Sequence, residues 1–370
     1  MAEKEIELLC IGNAIVDVFA RGDEALALRY GIIDPVQHIE YESLRELIAA
    51  LPKSRALSGG GAANAAKIAG FLGVDTCFIG AVGADSNTAD SSCPSDSGHP
   101  SDSGHPSDGL GRLFEEDLAS AGVQTCLFRR QLPTGICLML ELPKGPTRIA
   151  AAPSAALELT AEDIDEAAIR KAKVVILDGF MMDRQDLVRR ILDLANRNGT
   201  AVALDVSSAH LAGTRALELA TYSRLYPLIL FMNEAEARAF YQVISKQDSL
   251  NPAVDKDDDP EILNEEMYGF FKGFTANELF PIVAVKLGKR GAVVFAGGAI
   301  HKEETRPIIP VDTTGAGDAF CGAFLSAWVR SKSLSECASL GNKVAREVLH
   351  VKGTGINGKK LRGFAKLLRR

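Results

Sequence analysis

The 370-residue chain has no CxxC pair, no excess of basic residues, few aromatics and no apolar run long enough to cross a bilayer, and each lack removes a class of function. Its seven cysteines are odd in number and scattered, which argues against a disulfide framework or a structural zinc site and for buried free thiols. Forty-one basic side chains against 48 acidic ones give a formal charge of −7, so nothing favours a nucleic-acid backbone. The uncharged stretch Ala319–Val329 is far shorter than a membrane span. The opening Met1-Ala2-Glu3-Lys4-Glu5 is charged and lacks the apolar run of a secretory signal. Aromatics make up 6% of the chain, yet 46% of residues are hydrophobic, which excludes wholesale disorder. The expectation is a cytoplasmic protein, monomer or homodimer, whose partner is a small molecule rather than nucleic acid or membrane.

What is present is an alternation of short aliphatic runs with amphipathic segments. Glu7–Ile11, Val174–Asp178, Ala201–Asp205, Leu228–Met232 and Ile282–Lys286 have the composition of buried strands. Between them, Asp183–Asn198 places Leu187, Ile191, Leu192 and Ala195 on one helical face, and Asn198-Gly199 supplies a stop. This spacing predicts an α/β protein with a mainly parallel sheet covered by helices on both faces. Ile15–Ala20, Val36–Tyr41, Gln124–Arg130 and Gly135–Leu142 predict a second, smaller sheet that can act as a lid, with strands from about residues 14–41 and 124–142. Three helices are expected after Gly315. The chain is read as one domain over residues 1–370.

Residues 86–108 break the pattern. They hold almost no large apolar side chains, and Pro-Ser-Asp-Ser-Gly-His occurs twice in tandem, at Pro94–His99 and Pro100–His105. This predicts a flexible, dispensable insertion in a surface loop, a better account than metal binding by His99 and His105. The acidic loop carrying Asp255, Asp257, Asp258 and Asp259 lacks the glycine and closing glutamate of a calcium loop and is expected to be simply solvated.

The most informative stretch is Asp312-Thr313-Thr314-Gly315-Ala316-Gly317-Asp318. Small residues at a helix start leave backbone N–H groups open to an anion at the positive end of the helix dipole. A carboxylate at Asp318 makes sense beside a phosphate if it accepts a proton from an attacking hydroxyl. The competing account is an ordinary helix start capped by Thr314. Ser58-Gly59-Gly60-Gly61-Ala62-Ala63-Asn64 is a second glycine cluster ahead of a helix, and it fits neither a Walker loop nor a dinucleotide fingerprint. Asn13 and Asp17 follow an apolar strand, where an aspartate can grip two sugar hydroxyls. Asn233 and Glu236, one turn apart, suit either hydrated magnesium or a reciprocal helix cap. Lys286-Leu287-Gly288-Lys289-Arg290-Gly291 is either a nucleotide loop or a hairpin turn.

In this order the motifs resemble the ribokinase-like PfkB family of carbohydrate kinases, from about Leu8 to Leu368 outside the insertion. Asp312–Phe324 is similar to the family's C-terminal signature and Ser58–Gly73 to its N-terminal one. The resemblance implies a three-layer α/β/α fold with a β lid and transfer of the γ-phosphate of ATP to a hydroxymethyl group of a sugar or nucleoside. It implies Asp318 as general base and Gly315, Ala316 and Gly317 as anion hole. Asp17, Asn13, Gly60, Gly61 and Asn64 would bind substrate, while Lys286, Gly288, Gly291 and Asn342 would bind ATP. Asn233 and Glu236 would organise magnesium through water, and the Asp312 carbonyl would join a potassium site of the kind many members use. The Gly12–Asp17 and Pro133–Cys137 stretches resemble the adenosine-kinase-like branch, with Phe19, Cys137 and Leu138 as lining for a purine slot. A silent binding regulator of the same fold stays open as an alternative. A dinucleotide oxidoreductase is disfavoured, since the stretch at Gly315 lacks the last glycine of that fingerprint.

Overall fold

The computed structural model describes residues 4–34, 36–85, 107–248, 263–276, 282–353 and 357–369. Strands are numbered in chain order. Nine form a large sheet: β1 (Ile6–Ile11), β5 (Thr76–Gly83), β6 (Gln124–Arg130), β9 (Ala172–Asp178), β10 (Ala201–Asp205), β11 (Leu228–Asn233), β12 (Val283–Lys286), β13 (Ala292–Ala296) and β14 (Ala299–Glu303). Five form a smaller one: β2 (Ile15–Arg21), β3 (Val36–His38), β4 (Ser54–Gly59), β7 (Thr134–Glu141) and β8 (Arg148–Ser154). The large sheet runs β14-β13-β12-β11-β10-β9-β1-β5-β6 and is parallel from β6 to β12, with β13 and β14 antiparallel at one edge.

Alternation along these strands builds two cores. Leu8, Cys10, Ile176, Phe231 and Ala284 point to one face, beneath the helices Gly61–Phe71 and Ala316–Trp328. Leu9, Ile11, Leu177, Leu204 and Val285 point to the other, where the helix Gln185–Arg197 lays down Leu187, Ile191, Leu192 and Ala195. With both faces covered, each strand reads as a continuous apolar run, which is what made it visible in the sequence. Asn198 ends that helix and Gly199 follows at φ 60°, in the left-handed region. After Gly315 come the helices Ala316–Trp328, Leu334–Val348 and Gly358–Arg362, the second opened by a full capping box between Ser333 and Glu336. The described cysteines are all free, and among the described residues no helix is long and apolar enough to cross a membrane.

Three expectations need correction. Gln124–Arg130 is a strand, but it pairs in parallel with β5, Cys77 opposite Gln124 and Gly83 opposite Arg130, at the edge of the large sheet. The helix Gly109–Ser120 lies between β5 and β6, and a strand–helix–strand crossover returns its second strand parallel into the same sheet. The small sheet instead takes β4 and β8, and β3 ends at His38 because Tyr41 opens the helix Tyr41–Ala50. The insertion also ends earlier than residue 108. Ser107 is buried and bridges Ala84, while Asp108 caps the helix Gly109–Ser120 through Gly111 N–H at 2.7 Å and accepts from Thr134 N–H at 2.8 Å. Residues 86–106, with the repeat histidines, and the acidic loop 251–260 lie outside the described residues.

Candidate active site

At the carboxyl ends of the parallel strands lies a cavity of about 740 Å³. Open α/β sheets present ligands there because the loops that leave the strands converge at that edge. Its walls include Asp17 and Met139 from the small sheet, Gly60, Gly61 and Asn64 from the second glycine cluster, Asp205, Asn233 and Lys286 from strand ends, and Glu236 from the first turn of the helix after β11. Gly288, Gly291, Asn342 and the run Thr313–Asp318 also line it. Two expected residues are absent from the lining. The Asn13 side chain accepts a hydrogen bond from Arg184 at 2.5 Å and so supports the site from behind. Asp312 ties its loop together by accepting from Thr314 N–H at 2.9 Å, Thr314 Oγ1 at 2.8 Å and Gly353 N–H at 2.8 Å. Burial alone would raise its pKa, but these donors more than offset that and hold the carboxyl below its usual range.

Gly315 is the cap residue of the helix Ala316–Trp328, at φ 75° in the left-handed region that glycine reaches without strain. Thr314 donates its hydroxyl to Asp312 instead of capping, and Ala316 N–H turns back to Thr313 O at 3.3 Å. Asp318 does not cap the helix either. Its Oδ2 accepts from Asn64 Nδ2 at 2.8 Å, joining the two glycine-rich motifs across the cavity. Burial and the neighbouring Asp205 charge push Asp318 up to about 6, against the Asn64 hydrogen bond and Lys286. Asn64 Oδ1 is buried and carries no hydrogen bond among the described residues.

Lys286, the last residue of β12, turns its ammonium onto Asp205 at 2.8 and 2.9 Å, with Cys321 donating its thiol to Asp205 at 3.0 Å. Burial would lower the lysine pKa, but Asp205 and its other anionic neighbours outweigh that and keep it charged. A side chain at Gly317 would sit 3.3 Å from the Lys286 Nζ, so the ammonium lies directly under the helix start. Asn233 and Glu236 form the reciprocal cap: Glu236 accepts from Asn233 N–H at 2.8 Å and Nδ2 at 2.7 Å, and Glu236 N–H donates back at 2.9 Å. Both also line the cavity, so cap and site are the same residues. Burial raises Glu236 to about 7, with Lys286 opposing and Asp205 reinforcing.

Sequence reasoning missed Asp205 and Asp178. Asp178 is 2% exposed, its Oδ1 has no hydrogen bond among the described residues, and burial lifts it to about 6 against the Arg184 charge. The signal was available, since the runs VVILD and AVALD each place an aspartate where a parallel strand ends. The purine slot also needs correction. Leu138 pairs with Val18 on the core face of the small sheet and is fully buried, while the next residue, Met139, faces the cavity. Phe19 packs against Gly353, and Phe180 supplies the aromatic wall.

A mainly parallel sheet, a glycine-capped helix start and a carboxylate beside it in one cavity, with a smaller sheet closing one side, define the class of small-molecule phosphotransferases acting on an alcohol group. The sequence profile of the pfkB family carbohydrate kinases matches residues 106–360, and the chain belongs to that family. It is similar to adenosine kinase 1 of Arabidopsis thaliana, 24% identical over 369 residues that cover 94% of each chain. A cytidine kinase of Thermococcus kodakarensis is 42% identical over 71 residues, 18% of this chain and 25% of that protein. The fold is ribokinase-like. It superposes on a probable sugar kinase from Rhizobium etli with a TM-score of 0.77 at 24% identity, covering 98% of both chains. For adenosine kinase from Sinorhizobium meliloti the TM-score is 0.76 at 24% identity, covering 98% of this chain and 99% of that one. Family membership implies ATP and a divalent metal as the co-reactants.

Proposed function

We propose that this chain transfers the γ-phosphate of ATP to the hydroxymethyl group of a sugar or nucleoside, with Asp318 as the general base. The observation that carries the reading is the convergence of Asp318, the Gly315–Gly317 turn, Asp17 and Asn64 on one cavity. As the acceptor oxygen bonds to the γ-phosphorus, its proton passes to Asp318 and the bond to the β-phosphate oxygen breaks, with ADP leaving as the anion. A carboxylate lifted to about 6 is ionised at neutral pH yet basic enough to take that proton. Gly315, Ala316 and Gly317 form the anion hole for the transferred oxygens, the Ala316 N–H leaving its bond to Thr313 O to join it. Lys286, fixed by Asp205, puts a positive charge beneath them. Gly288 and Gly291 form the loop under ATP, and Asn342 lies near the base. Asp17, Gly60, Gly61 and Asn64 hold the acceptor hydroxyls, with Asn64 Oδ1, which has no hydrogen bond among the described residues, accepting from one of them.

Magnesium fits the donor set. Asp205, Glu236 and Asp318 surround a single ammonium, a surplus of negative charge that a divalent ion would balance. Asn233 and Glu236 would hold the ion through water, which leaves their reciprocal hydrogen bonds in place. When bound, it neutralises charge on the phosphates. Potassium is assigned to the loop carbonyls at Asp312, whose side chain already joins that loop to Gly353.

The acceptor class follows from Met139 and Phe180, an apolar wall that a free pentose would leave uncovered and a nucleoside base would cover. A coupled ADP-release assay over adenosine, cytidine, ribose and fructose tests this. Saturable turnover on nucleosides and not on free sugars is the expected result. Binding without ADP release across the panel would assign the chain to a regulator instead.

A further inference from the structure

Behind the acceptor side of the cavity lies a buried charge cluster that none of the roles above uses. Lys67, on the helix Gly61–Phe71, is 3% exposed and donates to Ser58 O at 2.9 Å and to Asp117 Oδ2 at 3.1 Å. Asp117, on the helix Gly109–Ser120, also accepts from Ser58 N–H at 3.1 Å and Ser58 Oγ at 2.5 Å. Ser58 belongs to β4, so the cluster pins one strand of the small sheet to two helices of the large layer. The next residue, Gly59, has no room for a side chain, because a Cβ there would lie 2.1–2.3 Å from the Asp17 carboxylate. Asp17 therefore rests on the backbone that Lys67 and Asp117 hold. Asp17 itself is 4% exposed and lines the cavity, so its charge is held in a largely buried place.

We propose that Lys67 is a positioning residue for the acceptor: it fixes the Gly59 turn on which Asp17 rests and supplies the buried positive charge that faces that carboxylate. The proposal rests on the reading that Asp17 grips acceptor hydroxyls. Burial pushes Asp17 up to about 7, Lys67 opposes the rise, and Asp318 adds to it. The remaining titratable neighbour is Cys137, opposite Asp17 in the strand register, whose buried thiol stays neutral. Lys67 thus keeps the carboxylate ionised near neutral pH, and Asp117 tempers Lys67 by neutralising part of its charge.

This arrangement predicts shifts of opposite sign from two variants, which a purely structural anchor does not. KM and kcat for adenosine, or for ribose if adenosine does not turn over, are measured from pH 5.5 to 9, alongside urea unfolding of the full chain. In the parent, KM falls as pH rises through about 7. Lys67→Met moves that midpoint up by about one unit, raises KM roughly fivefold at neutral pH, and leaves plateau kcat within about threefold. Asp117→Asn moves the midpoint down, and it carries the test if Lys67→Met does not fold. In an Asp17→Asn background neither change shifts the profile. The pH dependence of unfolding follows the same two signs, because a carboxyl raised in the folded state loses stability until pH passes its folded pKa. Midpoints that move together, or a parallel loss of kcat and KM at unchanged pH profile, overturn the coupling. Opposite shifts in unfolding with no pH response of KM in any protein overturn the acceptor role of Asp17 and leave the charge coupling intact.

Discussion

Replacing Asp318 by asparagine removes one negative charge and one proton acceptor while keeping the shape of the side chain. An asparagine oxygen can still accept from Asn64 Nδ2, the 2.8 Å bond that joins the two glycine-rich motifs, so the helix start should stay in place. Burial and Asp205 raise Asp318 from 3.8 to about 6, so the folded state disfavours this charge. Two pKa units correspond to about 3 kcal/mol, discounted to about 1–2 kcal/mol because the cavity admits solvent. Asp318→Asn should therefore be slightly more stable than the parent at pH 7.5, by urea unfolding, and lose about 10²–10⁴ in turnover. ATP affinity should hold or tighten, since a carboxylate beside the γ-phosphate is gone. A helix-capping role predicts the reverse, lower stability with activity per folded molecule nearly kept. Folded variant protein that turns over within about threefold of the parent would refute the general-base assignment.

Other expectations follow from the same geometry. The acidic limb of kcat in the parent should fall near pH 6, below the change in KM tied to Asp17, with activity lost as Asp318 gains its proton, and Lys286→Met should move that limb upward because Lys286 lowers the Asp318 pKa. Lys286→Met also strands Asp205 as a buried charge and should cost about 3–5 kcal/mol, most of it restored when Asp205→Asn is added. Asp178→Asn should raise stability by about 1–3 kcal/mol at pH 7.5 and have little effect at pH 4. The sign follows from a folded pKa of about 6, above the ordinary 3.8, so the native carboxylate loses stability as pH climbs between those values. Replacing residues 86–106 by a two- or three-residue turn should leave the thermal midpoint within a few degrees, because the Ala84–Ser107 bridge already brings the ends together. Asp108→Ala should cost about 1–2 kcal/mol, since it removes a helix cap and the Thr134 bonds.

The buried parallel strands and the helix start at Gly315 are legible in sequence because each is local: an aliphatic run in one case, three small residues before an apolar helix in the other. Asn233 and Glu236 were legible as a pair but not as one thing, and the fold explains why, since the reciprocal cap itself faces the cavity. The small sheet was only half legible. β6 and the small-sheet strands have similar compositions, and the helix that sends β6 back into the large sheet follows directly after the repeat segment. The strand-end aspartates Asp178 and Asp205 were marked locally, but the pairing of Asp205 with Lys286 and of Lys67 with Asp117 spans 81 and 50 residues, and no local pattern announces such contacts. Asn13 shows the opposite failure: its motif position pointed to the site, while Arg184 claims its side chain.

The central claim is phosphoryl transfer to a hydroxymethyl oxygen with the proton taken by Asp318, and the direct measurement is the structure of the product. Incubating the full chain with ATP, magnesium, potassium and the acceptor selected by the ADP-release panel, then recording proton-coupled ³¹P spectra, identifies the carbon that carries the new phosphate. Coupling of one phosphorus to a CH₂ group, formed by the parent and reduced at least a hundredfold in rate by folded Asp318→Asn, is the predicted result. Phosphate on a secondary hydroxyl, ADP formed with inorganic phosphate alone, or equal product from both proteins would contradict it.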